Sequence, residues 1–221
     1  MNYKIVYSKR RSLAIIVSPD SGVIVRAPFR TSLRTIERFV QAKSAWIDKH
    51  LDRQNNIKSL NTEFSDGMTV LYHGKELRLK IIPSKDRGVL ISENTILLRI
   101  KESDDKVKTE RVYKDWFMKE ATISIGRKFN ELLFKYGNYH FTPSALSIRA
   151  MKRRWGSCSS KGKITINAEL IKLSDIFTEY VILHELCHLR YHNHSSDYYR
   201  LLAEVFPEWK AVRKRLKTFH C

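Results

Sequence analysis

Tyr180-Val181-Ile182-Leu183-His184-Glu185-Leu186-Cys187-His188-Leu189, followed closely by Asn193-His194-Ser195, decides how this chain is read. The segment contains His-Glu-x-x-His. On a helix that spacing sets two imidazoles one turn apart on the same face, close enough to share one Zn²⁺ at roughly 2.0–2.1 Å from nitrogen. Glu185 lies beside such an ion rather than on it, placed to take a proton from a metal-bound water. Val181, Ile182, Leu183, Leu186 and Leu189 supply the apolar body of a helix crossing a core, and residues 175–190 contain no Gly or Pro to break it. Two histidines do not close a catalytic zinc site, which takes three protein ligands and keeps a position open. His192, His194, Asp197 and Glu204 are the nearby candidates. His194 is favoured, because six residues let the chain leave the helix and fold back. His192 would share the ligand face only if the helix ran on past the ion, and Glu204 is the reserve.

The remaining composition narrows the setting. At 221 residues the chain can bury a real core, as one large domain or two small ones. No apolar run approaches the roughly 20 residues of a membrane span, and the N-terminus lacks a signal-peptide core, which points to the cytoplasm and away from the membrane. Cys158, Cys187 and Cys221 are widely spaced with no Cys-x-x-Cys pair, which argues against a disulfide framework or a cysteine-built zinc finger. The net charge of +18 would attract nucleic acid, nucleotides or acidic proteins. The plainer alternative is a solubilising surface, since the basic residues run from Lys4 to Lys217.

Read in order, the chain predicts an α+β fold. Residues 13–17 and 23–25 are strand-like about a hairpin turn at Ser18-Pro19-Asp20-Ser21-Gly22. Thr31 or Ser32 would cap a helix over 32–53 with Ile36, Phe39, Val40, Ile47 and Leu51 inward, ended by polar breaks at Asn55-Asn56 and Asn61-Thr62. Four short strands follow at 69–72, 77–82, 89–91 and 95–100. A long helix over 104–136 carries Val112, Trp116, Ile123, Phe129, Leu132 and Leu133 toward the core and stops at Gly137-Asn138. Strands followed by a helix, twice over, suggest an internal repeat. Residues 145–148 and 163–167 are strand-like and are joined through Arg153-Arg154-Trp155-Gly156-Ser157-Cys158-Ser159. The His-Glu-x-x-His helix is expected from about Asp175. Ser195 or Ser196 would cap a further helix through Phe206, and Pro207 suits the first turn of a last helix over 208–218. The division drawn from this pattern is a β-rich N-terminal region with one helix, 1–103, and a catalytic domain, 104–221.

Arg154-Trp155-Gly156-Ser157-Cys158, Ile166-Asn167 with Leu170, the 181–189 stretch and Asn193-His194-Ser195 together resemble the YgjP-like family of zinc metallopeptidases. Ser8-Lys9-Arg10-Arg11-Ser12, Pro19-Asp20, residues 23–28 and Trp46-Ile47 extend the resemblance over nearly the whole chain. It implies a zincin-type core, distantly related to SprT-like and WLM proteases. The ligands then fall on His184, His188 and His194, the general base on Glu185, and the substrate is a peptide or protein. By the same resemblance 104–136 is a backing helix and 163–167 a strand along the cleft, where an extended peptide would pair with the strand edge. Trp155-Gly156-Ser157-Cys158 would sit at the strand's start, with Gly156 permitting a tight turn.

Other chemistries fit parts of the pattern. A metal-bound hydroxide beside a basic surface could attack a nucleotide phosphoanhydride, and a nucleic-acid-associated protein could carry a closed structural zinc. A nucleophile at Cys158 or Cys187 is weaker, because Cys187 reads as a small helix residue packed beneath the site. Tyr191, Tyr198 and Arg154 are each candidates to stabilise an oxyanion, and spacing does not choose among them.

Overall fold

The computed structural model describes residues 3–18, 22–48 and 64–219. The turn residues Pro19-Asp20-Ser21, the helix end with Leu51, and the polar breaks at 55–56 and 61–62 lie outside them. Contacts group the chain into two units, Met1–Glu63 and Phe64–Cys221. The boundary read from the sequence at 103/104 falls inside the second unit.

In the first unit β1 (Lys4–Ser8), β2 (Ala14–Ser18) and β3 (Gly22–Pro28) form a sheet in the order β1-β3-β2. β2 and β3 are the expected antiparallel hairpin pair, and β1 runs parallel to β3 on its other edge. Alternation on β3 buries Val23, Val25 and Ala27 against Ile36 and Val40 of α1 (Leu33–Ala42). Ser32 caps α1 by accepting from the Thr35 N–H. The continuous helix expected over 32–53 is interrupted at Lys43, whose N–H turns back to Val40 and Gln41, before helical residues resume at 44–48. Ile47 still reaches the core.

The second unit opens with β4 (Thr69–Tyr72), β5 (Lys75–Pro83), β6 (Gly88–Ser92) and β7 (Thr95–Ile100), in the order β4-β5-β7-β6. It continues with α2 (Lys106–Lys135), β8 (Ala145–Arg149), β9 (Gly156–Cys158), β10 (Lys163–Asn167), α3 (Asp175–Cys187), α4 (Ser196–Val205) and α5 (Trp209–Leu216). One pattern recurs in all three sheets: a strand, a second strand, and a third that runs parallel to the first and antiparallel to the second. It is seen in β1-β3-β2, β5-β7-β6 and β8-β10-β9. What repeats is therefore a three-strand unit, and the two strand-plus-helix halves expected from the sequence differ in strand number.

α2 begins where Asp105 accepts from the Lys108 N–H and ends at Tyr136 before Gly137. Its 30 residues rise about 1.5 Å each, so it runs the length of the core. Phe117, Ala121, Ile125, Phe129 and Leu132, spaced three to four apart, form its buried stripe. Ile123, expected on that face, is 55% exposed, because it lies between Ala121 and Ile125 on the opposite side. Val112, Trp116 and Leu133 are partly buried along the flanks.

Two further ties set the position of α3. The β4–β5 turn docks against the 3-10 turn Ala168–Lys172 that leads into it: the His73 N–H donates to Ile171 O at 2.7 Å, and the Gly74 N–H to Lys172 O at 3.1 Å. The His73 ring lies between Asp175 Oδ1 at 2.5 Å and Ser124 Oγ at 3.3 Å, linking the turn to α2 and α3. Asn167, fully buried at the end of β10, donates to Met151 O and Arg154 O and accepts from the Met151 and Glu169 N–H groups. An amide with both donors and its acceptor engaged fixes the path of 151–154 into β9.

β10 is the centre of its sheet, flanked by β8 and β9. The expectation that a peptide pairs with the edge of 163–167 is therefore corrected, since both edges of that strand are occupied. The strand that lies between β10 and α3 is the three-residue β9, Gly156–Cys158.

Candidate active site

α3 has little amphipathic character because it is buried nearly all round. Phe177, Tyr180, Val181, Ile182, Leu183, Leu186 and Cys187 all lie in the core. It ends at Cys187, with His188 as its cap residue, and the next N–H groups fold back: Leu189 onto Leu186 O, and Arg190 and Tyr191 onto Cys187 O. The chain then returns until Ser195 caps α4, accepting from the Tyr198 N–H at 3.3 Å.

This reversal brings His194 to His184 and His188. One ring nitrogen from each of the three lies within 4.8 Å of the others. The Nε2 atoms of His184 and His194 are 3.3 Å apart. That separation matches the edge of a tetrahedron about a zinc bound at roughly 2.0–2.1 Å, which is about 3.3–3.4 Å. The other ring nitrogens are engaged behind the site. His188 Nδ1 meets Tyr191 O at 2.9 Å, and His184 Nδ1 meets Tyr198 Oη at 2.6 Å. Tyr198 Oη donates in turn to His184 O at 3.2 Å, so the ring must donate to the hydroxyl. Both rings are thus held as the tautomer that leaves Nε2 unprotonated and facing its neighbours.

The electrostatics favour neutral imidazoles at His184 and His194. Burial, then His188, His194 and Arg213, pull the His184 pKa down to about 3, and burial with His188 and Arg213 lowers that of His194. Three imidazole nitrogens converging on one point suit a divalent ion of intermediate softness. The other ligand candidates are not drawn in. Asp197 pairs with Arg200, while His192 and Glu204 are exposed and outside the cluster.

Glu185 is 5% exposed and its carboxyl is pushed up to about 8 by burial, opposed by the Arg154 charge and by a hydrogen bond from the Cys158 N–H. Gly156 lies directly against it. A Cβ on Gly156 would come within 2.5 Å of Glu185 Oε1, 2.8 Å of Glu185 Cγ and 2.9 Å of Val181 Cγ1. The glycine is therefore required for close approach of β9 to α3, rather than for a tight turn as the sequence suggested. Alternation along the β9–β10 pair turns Ser157 toward Thr165 and leaves Gly156 and Cys158 with their backbone groups directed away from β10.

Tyr198, one of three oxyanion candidates, stands behind His184 as a positioning residue and is fully buried. Tyr191 contributes its carbonyl to His188. Cys187 is fully buried with its thiol pushed up to about 12 by burial, and the Cys158 thiol is raised for the same reason; neither is disposed to act as a thiolate. Asn167 and Arg213 were legible only as members of a motif and of a basic cluster. Nothing in their spacing revealed that one locks the 151–154 loop and the other borders His184.

A sequence profile described as YgjP-like, metallopeptidase domain, matches residues 11–219. No curated protein matches the chain. Among solved structures, the metallopeptidase zymogen abylysin of Pyrococcus abyssi is 26% identical, with 42% of this chain and 92% of that one covered and a TM-score of 0.37. The metallopeptidase zymogen jannalysin of Methanocaldococcus jannaschii is 24% identical over the same shares, also at a TM-score of 0.37.

Gly156→Ala should lower turnover at least about tenfold while metal content stays at the wild-type level, because the atoms the new methyl meets first belong to Glu185 and Val181. Steady-state kinetics beside metal analysis checks this, and unchanged turnover would contradict it. A second expectation concerns the metal-free protein. Glu185 ionises near 4.5 when unfolded and near 8 when folded, so the folded state retains a proton that the unfolded state has lost, and stability falls as pH rises between those values. In Glu185→Gln that contribution to the slope should vanish, leaving the metal-free variant more stable than wild type at pH 8 by about 4 kcal/mol. Urea unfolding at pH 5 and pH 8 measures it, and parallel pH slopes would refute it.

Proposed function

We propose that this chain, which belongs to the YgjP-like metallopeptidase family, cleaves peptide bonds with a zinc ion held by His184, His188 and His194 and with Glu185 as general base. Family membership makes it a metal-dependent peptidase acting on peptide or protein substrates. The observation that carries the finer reading is the convergence of three imidazoles, two of them oriented from behind, beside a buried carboxylate.

The ion, when bound, polarises the scissile carbonyl and acidifies the attacking water. The chain's own residues do the rest. Tyr191 O and Tyr198 Oη keep the His188 and His184 rings from turning. Glu185, held in its ionised form by the Cys158 N–H and the nearby Arg154 charge, accepts the water proton and passes it to the leaving amine. The outward backbone groups of Gly156 would receive the substrate main chain in extended form, on the strand nearest Glu185. In this reading residues 104–221 carry every reacting group. Among the described residues no helix is long and apolar enough to cross a membrane, and we place the activity in the cytoplasm.

Glu185→Gln should keep one zinc per chain and lose about 10²–10⁴ of the turnover, whereas His194→Ala should lose the zinc itself. Metal analysis with a peptide-library assay, with and without chelator, separates these outcomes. Full activity in Glu185→Gln would sink the mechanism. The proposal also includes polyanion contact. Arg149, Lys152, Arg153 and Arg154 line one surface pocket, and Arg149, Arg154 and Lys163 line a neighbouring one. Binding of single-stranded DNA should weaken steeply with salt and lose part of that slope in Arg149→Gln/Arg153→Gln; a salt-independent signal would rule the contact out.

A further inference from the structure

A pocket of about 260 Å³ opens beside His184 and Glu185, and its far wall plays no part in the catalytic chemistry above. Tyr180 and Val181 of α3 form one wall, Trp155 ahead of β9 a second, and Arg213, Leu216 and Lys217 at the end of α5 a third. His184 and Glu185 open into it, so whatever fills the pocket is continuous with the scissile bond.

Arg213 is the unusual member. It is half-buried, and its Nη1 donates to Tyr199 Oη at 3.3 Å while the guanidinium lies 6.0 Å from the Tyr199 ring centre. Tyr199 is itself stacked on Trp209 at 4.8 Å and on His194 at 5.9 Å, so the guanidinium is anchored through α4 to a ring that packs on His194. Among the described residues neither Arg213 nor Lys217 pairs with a carboxylate. A guanidinium that lines the pocket without a carboxylate partner is disposed to take up an anion entering it.

From this we infer that the pocket is a subsite for a carboxylate of the substrate, taken up by Arg213 while the aliphatic stem rests on Val181, Leu216 and Trp155. The inference rests on the peptidase reading and adds the substrate class. The carboxylate has two sources, an acidic side chain near the scissile bond or the α-carboxylate of the peptide's C-terminus. A guanidinium suits either, because its planar fork of donors matches two carboxylate oxygens.

The test uses zinc-loaded Glu185→Gln protein, in which peptides bind without turnover, read by calorimetry. One peptide pair differs as Glu against Gln, both with amidated ends; a second pair carries Gln throughout with a free or an amidated C-terminus. The carboxylated member of one pair should bind about tenfold tighter than its amide, and the pair that shows the difference identifies the source. Adding Arg213→Gln should abolish the difference and leave the amide peptides bound as before. Equal binding of acid and amide in both pairs overturns the subsite without any need for the Arg213 variant. So does an Arg213→Gln change that weakens acid and amide alike, which would mark a structural role. Wild-type turnover of the same peptides keeps the two claims apart. Cleavage with no acid preference removes the subsite and keeps the peptidase, whereas acid preference in binding with no cleavage of any peptide keeps the subsite and removes the peptidase.

Discussion

The close approach of a three-residue strand to a buried helix is the constraint on which the rest of this structure depends. At Gly156 there is no room for one methyl group between backbone and Glu185, and the neighbouring Cys158 N–H donates to the same carboxylate. Such contact requires both elements to be fixed independently. The strand is fixed by β10 and by the four hydrogen bonds of Asn167, and the helix by its all-round burial and by the His73 turn at its start. A carboxylate confined in this way loses little freedom when it works, and lost freedom is what a loosely held base would otherwise contribute to the barrier.

The same confinement sets the charges. Burial disfavours ionisation of Glu185 and protonation of His184, so both are pushed toward their neutral forms at neutral pH. Opposite shifts on adjacent residues follow from one cause, the low dielectric of the α3 surroundings, and they suit opposite tasks. In the proposed mechanism the imidazole would offer a lone pair, while the carboxyl would hold a proton between taking it and giving it up. Arg213 and Arg154 both act on this pair, and they act differently. Arg154 favours the ionised Glu185, whereas Arg213 stands on the histidine side and lines the adjoining pocket.

Much of the fold was legible in the sequence because local signals there are unopposed. Ser32, Asp105 and Ser195 cap helices as their positions suggest, and the four short strands of 69–100 lie where apolar runs and turn residues put them. Periodicity failed at Ile123, where a long helix with a single buried stripe leaves an isolated apolar residue outside. It failed again at Lys43, where a terminating turn is set by backbone geometry with no Gly or Pro to announce it. In the candidate site the histidines were legible because the chemistry fixes their spacing. Tyr198, Asn167 and Arg213 were not, because each acts across a contact between elements that only the tertiary fold brings together. Sheet order is the same kind of fact, and β10 became the central strand only once β9 was seen to pair with it.

Helix termination links these observations. Had α3 continued past His188, His192 would have followed on the face of His184 and His188, giving a row of imidazoles instead of the cup that His194 completes. α3 stops at Cys187 because the N–H groups of Leu189, Arg190 and Tyr191 turn back onto Leu186 and Cys187, and this turn also presents Tyr191 O to His188 Nδ1. The returning chain is then held by the Ser195 cap, which starts α4 in a register that buries Tyr198 behind His184 and stacks Tyr199 against His194. One reversal of direction thus supplies the third imidazole, the hydrogen-bond partners of the first two, and the aromatic anchor of Arg213. A substitution that extended α3 by a single turn would remove all of them together, which is why the site depends more on where this helix ends than on the residues within it.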